Sequence, residues 1–332
     1  MENTGTGIEN TGNTLIKASD LKTKLDTQDY TTRRPLIQAL LRHRGLYIML
    51  IPAAILLVFM KFYPLWGIGV AFVDYNPFRG LSGSEFVGLM HFEDILSKSQ
   101  TGEIVRNTVF IASMKIIFGQ IVAVGFALMV YEVRYSFYRR LVQTVTTMPY
   151  FLSWVILGGT FVTILGSDGP VNSFLGEAGL GTVGFLRDKT MFPWTIILTD
   201  IWKNFGFSAI IYLAALTQIN PELYEAAAVD GAGRWARIRR ITMPGIAPTI
   251  ILLGALSMGN ILEAGFEQIL VLYNPLVYET GDIIDTYVFR VGLQGFNYEI
   301  ATVVGLFKSV VAFILIVVSY WAADRFANYR IF

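Results

Sequence analysis

Residues 220–244, NPELYEAAAVDGAGRWARIRRITMP, set a small-residue segment, two glycines and a run of arginines between two strongly apolar stretches. Asn220 suits a helix N-cap and Pro221 the first helical position, where no backbone donor is needed. Glu222 and Glu225 fall in the first turns, where negative charge complements the helix dipole. Ala226, Ala227 and Ala228 keep this helix slim, and Gly231 or Gly233 can end it in a left-handed cap. The predicted helix is about 10 residues, or ~15 Å, long. RWARIRRIT predicts a second short helix that stops before Pro244, with Pro248 leading into the next apolar stretch. A slim capped helix suits docking into a groove on another protein. The competing reading is an amphipathic hairpin lying on a membrane, its arginines at phosphate level.

The rest of the chain supplies the membrane. Of 332 residues, 54% are hydrophobic and only 15% charged, with a mean hydropathy of +0.52. Soluble domains are about a quarter charged. A net charge of +1 argues against a nucleic-acid footprint. The chain has no cysteine, so disulfides and thiolate chemistry are excluded. His43 and His91, the two histidines, are far apart, which makes a histidine metal site improbable. A bilayer core takes about 20 mostly apolar residues per helix. Six stretches qualify: 46–72, 104–131, 141–165, 191–217, 249–273 and 303–323. The first is too long and begins too deep in the chain for a signal peptide.

Basic residues orient these spans. Arg33, Arg34, Arg42 and Arg44 precede the first; Arg134, Arg139 and Arg140 follow the second; Arg234, Arg237, Arg239 and Arg240 follow the fourth; Arg325 and Arg330 follow the sixth. The opposite loops carry Asp74, Glu85, Glu93, Asp94, Glu279, Asp282, Asp285 and Glu299. Both termini and the 220–248 loop are therefore expected in the cytoplasm. Residues 1–45 read as a largely flexible cytoplasmic tail, and 46–332 as the membrane domain. The outer stretch 168–189 suits a short helix on the outer face, and 273–287 either a contact surface for an external partner or a packed external cap.

Ionisable groups cost about 2.5–3.5 kcal/mol each on insertion scales, so those at depth face an interior or a cavity. On a continuous fifth helix, Asn260, Glu263 and Glu267 would lie within about 60° of one another, with Gln268 beside them. They read as a wall lining a solute's passage, amides and carboxylates being good partners for hydroxyls, with Phe266 offering an aromatic face. The alternative is interhelical glue, pairing the acids with Lys115, Lys203 or Lys308. In the fourth span Asp200, Lys203 and Asn204 fall at i, i+3 and i+4, as passage lining or as an internal Asp200–Lys203 ion pair.

The loop also resembles a known family. Glu225-Ala226-Ala227, then Gly231, then Ile241-Thr242-Met243-Pro244 is similar to the EAA signature of ABC-importer permeases, with Met243 where leucine is usual. MPYFLSWVI, DIWKNFGFSAIIYLAAL, GFEQILVLYNPLVYETGDIIDTYVFRVGL and ATVVGLFKSVVAFIL resemble the LplB-type branch of carbohydrate permeases. The resemblance implies an all-α integral membrane protein with six transmembrane helices in the type I importer (MetI-like) fold. Its ATPase-coupling residues would be Glu225, Ala226, Ala227, Asp230, Gly231, Ile241 and Pro244. It implies a bacterial plasma-membrane heterodimer with a second permease, two ATPase subunits and an extracytoplasmic solute-binding protein. The cargo would be an oligosaccharide or polysaccharide fragment. No phosphate loop is present, since GLFKS has Phe307 where glycine is needed; ATP and Mg would be bound by the partner ATPases, and no cofactor by this chain. Rival readings are a permease for amino acids or peptides, an ion-coupled secondary transporter, and an intramembrane enzyme, which no nucleophile–base pair supports.

Overall fold

A computed structural model describes residues 44–259 and 261–327, with side chains through residue 318. Residues 1–43 of the predicted N-terminal tail, and Arg330, lie outside the described residues, while Arg44 and Gly45 begin the first helix. Helix α1 (Arg44–Leu57) continues through a π turn (Val58–Phe62) and 3-10 turns (Tyr63–Phe72). A two-residue hairpin, β1 (Val73–Asp74) against β2 (Glu85–Phe86), leads to α2 (Met90–Ser97). There follow α3 (Ser99–Tyr131), α4 (Ser136–Thr147), α5 (Trp154–Leu165), α6 (Pro170–Glu177) and α7 (Met191–Leu216). The quoted loop forms α8 (Pro221–Val229) and α9 (Arg234–Arg237), before α10 (Met243–Gly259) and α11 (Phe266–Leu272). The chain then runs through α12 (Tyr278–Gly281) and α13 (Ile284–Tyr287) to α14 (Tyr298–Ala327).

Among the described residues six helical windows are long and apolar enough to cross a membrane. Two differ from the predicted spans, falling at Trp154–Glu177 and Arg234–Gly259, because the third and fifth apolar stretches are interrupted. In the third, α4 ends in a 3-10 turn (Met148–Phe151) containing Pro149; Leu152 is extended, and Ser153 caps α5 by accepting from Ile156 N. Proline removes a donor and clashes with the preceding turn, which is enough to part the helix. In the fifth, α10 ends at Gly259, and residues 263–265 are non-helical. Gly265 then takes φ +96° to start α11. A left-handed backbone favours glycine. The predicted second short helix also differs: α9 passes through a π turn (Ile238–Thr242) directly into α10, and Met243 N bonds Ile238 O. That i→i+5 bonding widens the turn directly ahead of Pro244, which has no N–H to continue the regular ladder.

The buried apolar side chains form two clusters. One holds the first half of α3 (Ile104, Ile111) and of α7 (Phe192, Ile196, Ile197) with Ile269, Val277, Ile283 and Val303. The other holds the second half of α3 (Ala123, Val124, Ala127, Val130) and of α7 (Ala209, Tyr212, Leu213, Leu216) with Ile246 of α10. Small residues on α3 let α7 come close. On the side of the first cluster the loops are laced together. Asn107 donates to Glu279 O and Asp282 O, Asn274 to Leu186 O, and Thr280 to Lys189 O. Tyr75 N donates to Glu299. Segment 273–287 is thus a packed cap, as one of its two readings had it, with Val277, Ile283 and Thr286 fully buried. The stretch 168–189 does contain a short helix, α6. Asn172 closes its loop by bonding Gly166 O, Val183 O and Val183 N.

Candidate functional site

Two regions carry the chemistry. The first is the loop between α7 and α10. Asn220 Oδ1 accepts from Glu222 N at 3.0 Å, capping α8. At the other end Gly231 has φ +76°, Ala232 N bonds Ala227 O at 2.8 Å, and Gly231 N bonds Ala228 O at 3.1 Å. This paired closure is a Schellman motif, and it needs the left-handed glycine. Tyr224 hydroxyl meets Thr242 hydroxyl at 3.0 Å, folding α8 back on the π turn. The face that remains carries exposed Glu225, Ala226, Ala228 and Asp230, with Leu223, Val229 and Trp235 open around it. Ala227 and Ile241 are half-buried and Pro244 is exposed.

The second is a cavity of about 370 Å³ between the two core clusters. Lys115, Gly119 and Gln120 of α3, Asp200, Asn204, Ser208 and Tyr212 of α7, Leu253 and Ser257 of α10, and Glu263–Gly265 line it. On α7 the polar lining recurs every four residues, one side of the helix. Lys115, at the midpoint of α3, donates to Ala264 O at 2.7 Å and to Gln268 Oε1 at 2.5 Å, and lies 3.4 Å from Asp200 Oδ1. Its three ammonium protons have three acceptors. Gln268 is fully buried, and its amide donates to Ile196 O and Thr199 Oγ1, each at 2.8 Å.

Several predicted site residues part company here. The Asp200–Lys203 ion pair does not form: Asp200 pairs with Lys115. Lys203 lies away from the cavity, donating to Tyr150 O at 2.9 Å over the Tyr150 and Trp154 rings. Asp200 and Asn204 do line the cavity, so the predicted triad divides between two sides of α7. The stripe on the fifth span does not lie on one continuous helix, because residues 261–265 are outside any helix. Asn260 lies outside the described residues. Glu263 lines the cavity, Glu267 is exposed, and Phe266 packs edge-on against Phe289 at 5.6 Å. Gln268 serves the interhelical role. Among the described residues neither glutamate forms an ion pair; Lys115 and Lys308 pair with Asp200 and Asp285 instead. Gln120, Ser208 and Ser257 were missed, although Lys115–Gln120 and Asp200–Asn204–Ser208 are polar series visible in apolar stretches.

Residues 115–328 match the family described as the binding-protein-dependent transport system inner membrane component. The chain belongs to that family. The permease is 38% identical over 295 residues to Protein LplB of Bacillus subtilis (strain 168), covering 89% of this chain and 93% of that one. It is 37% identical over 301 residues to the polygalacturonan/rhamnogalacturonan transport system permease protein YteP of the same organism, covering 90% and 94%. A chain in the crystal structure of a bacterial alginate ABC transporter, in complex with its alginate pentasaccharide-bound periplasmic protein, superposes with a TM-score of 0.79 at 40% identity. That match covers 87% of this chain and 96% of the other. The permease is therefore a multi-pass inner-membrane transport component with the MetI-like importer fold, and the EAA-like loop falls within the matched family region.

Proposed function

We propose that this permease is one of two membrane subunits of an ATP-driven importer of oligosaccharides or polysaccharide fragments. The observation that carries the reading is α8: a nine-residue helix, capped at both ends, presenting small residues and two carboxylates outward from the junction of α7 and α10. A second permease, two ATPase subunits and an extracytoplasmic binding protein complete the assembly. The ATPases hold ATP and Mg, and face the cytoplasm with the α8 loop and both termini. ATP binding favours a closed ATPase pair, and the docked helix passes that bias to α7 and α10. Asp200, Asn204, Ser208 and Glu263 line the sugar's passage, since amides, hydroxyls and carboxylates match sugar hydroxyls. The names of the relatives, which cover polygalacturonan, rhamnogalacturonan and alginate, support a carbohydrate cargo over amino acids or peptides.

The test replaces Glu225 with alanine and Gly231 with valine in the assembled importer. Binding-protein-stimulated ATPase activity and uptake are expected to fall about ten-fold or more, with membrane insertion intact. Full activity in both variants would sink the coupling reading.

A further inference from the structure

The two interruptions within apolar stretches share a feature. A lysine from an uninterrupted neighbouring helix reaches each: Lys203 of α7 bonds Tyr150 O where α4 gives way to α5, and Lys115 of α3 bonds Ala264 O where α10 gives way to α11. Backbone freed from a helix at membrane depth is tolerated only where other groups satisfy it, and ionised side chains there are expensive. An ammonium group beside each break is thus a costly choice made twice. Both lysines are engaged by the protein: Lys115 by three acceptors, Lys203 by a carbonyl and the faces of two aromatic rings.

The segments beyond the breaks also belong together. Helices α5 and α11 pack directly, with Gly158 against Val271 so closely that a β-carbon on Gly158 would overlap that valine. The segments before the breaks have other neighbours. Helix α4 meets α7 where Gly206 abuts Thr146 O, and α10 packs on α14. Large dihedral changes concentrate at a few residues at element ends, and both breaks supply such residues.

We propose that Lys115 and Lys203 are positioning residues holding two hinges, at 261–265 and 148–153, about which α5 and α11 turn as one block during transport. This rests on the permease reading above. Glu263 and Ala264 line the cavity within the first hinge, so its movement reshapes the cavity wall.

The test uses the whole importer in nanodiscs. Because the chain has no cysteine of its own, introduced thiols in this subunit are unambiguous. In the first arm, Gly158→Cys with Val271→Cys sets two β-carbons about 3.2 Å apart, a few tenths of an ångström inside the ~3.5–4.5 Å of an ordinary disulfide, so that a small separation of the two helices completes the geometry. The disulfide is expected to form and to leave stimulated ATPase activity within about two-fold of the reduced protein. A failure to form, or a reversible loss of about five-fold or more, overturns the block. In the second arm, Glu263→Cys is labelled with a membrane-impermeant maleimide in nucleotide-free and vanadate-trapped states. The two rates should differ by at least about five-fold. Adding Lys115→Met should erase the difference, and adding Lys115→Arg, which keeps charge and donors, should retain it. A difference that survives Lys115→Met overturns the role of Lys115. In an assembly with binding-protein-stimulated ATPase activity, that result removes the hinge alone; an unmodified assembly without such activity removes the permease coupling and the hinge together.

Discussion

Gly265 meets two demands at once. Its φ of +96° is left-handed, and a β-carbon there would stand 2.7 Å from Lys115 Nζ. Alanine would therefore bring about 1–2 kcal/mol of backbone strain and would also push the ammonium off Ala264 O. Gly231 differs: its φ is +76°, but nothing lies within 4 Å of where a β-carbon would sit, so Gly231→Ala carries the backbone term alone. Thermal unfolding of the purified permease should show Gly265→Ala clearly less stable than Gly231→Ala. Equal losses would mean that Lys115 does not constrain the break. Neither glycine could be ranked this way from sequence, because φ at 265 depends on α10 having ended six residues earlier. A window of apolar residues gives no sign of that ending. The polar side chains were easier to find: Glu263 and Asp200 stand out in apolar stretches. Their partners were not, because helical spacing on one span cannot show whether Asp200 meets Lys203 on its own helix or Lys115 on another.

At the scale of elements, the loops on the side of the first cluster are tied by groups whose ionisation sets a pH window. The Lys189–Glu279 pair joins the loop before α7 to α12. Its hydrogen bond holds the Glu279 carboxyl below its ordinary value of 4.5 and the Lys189 ammonium above its ordinary 10.5. A lowered acid stabilises the fold above its unfolded value and loses that contribution as pH falls through the folded one; a raised base contributes below its unfolded value and loses it as pH rises. The tie is thus complete between about 4.5 and 10.5. Asp282 has the opposite sign. Burial raises its carboxyl above 3.8 despite Thr286 and Arg290, so its contribution is greatest in acid and declines as pH rises through the folded value. Hydrogen exchange across 182–190 should accelerate locally as pH falls below about 4.5, after correction for intrinsic exchange, and Lys189→Met should abolish that response. An unaltered response in Lys189→Met would refute the tie. Asn172→Ala, which removes three hydrogen bonds from a buried amide, should cost about 2–3 kcal/mol. Proteolysis of the 166–183 loop is the measurement. The existence of α6 was legible from composition; its locking by one asparagine was not, since those partners meet only when the loop closes.

For the molecule as a whole, six apolar stretches and the loop between the fourth and fifth could be read directly, because bilayer thickness and spacing constrain them tightly. The cavity could not, since it forms where polar residues of α3 and α7 face the broken fifth stretch between two apolar cores. Its charge leads to the last prediction. Lys115 and Asp200 compensate each other in the wall, which leaves Glu263 as its unpaired charge among the described lining residues. Glu263→Gln removes that charge and keeps hydrogen-bonding capacity, so coupling through α8 should persist. The sugar concentration for half-maximal uptake in the assembled importer should shift about five-fold or more, the scale of one or two lost polar contacts at about 1 kcal/mol each. Uptake with unchanged sugar dependence would mean that the passage runs elsewhere, even with α8 correctly docked. A loss of basal ATPase activity instead would place Glu263 in the coupling route and remove it from the passage.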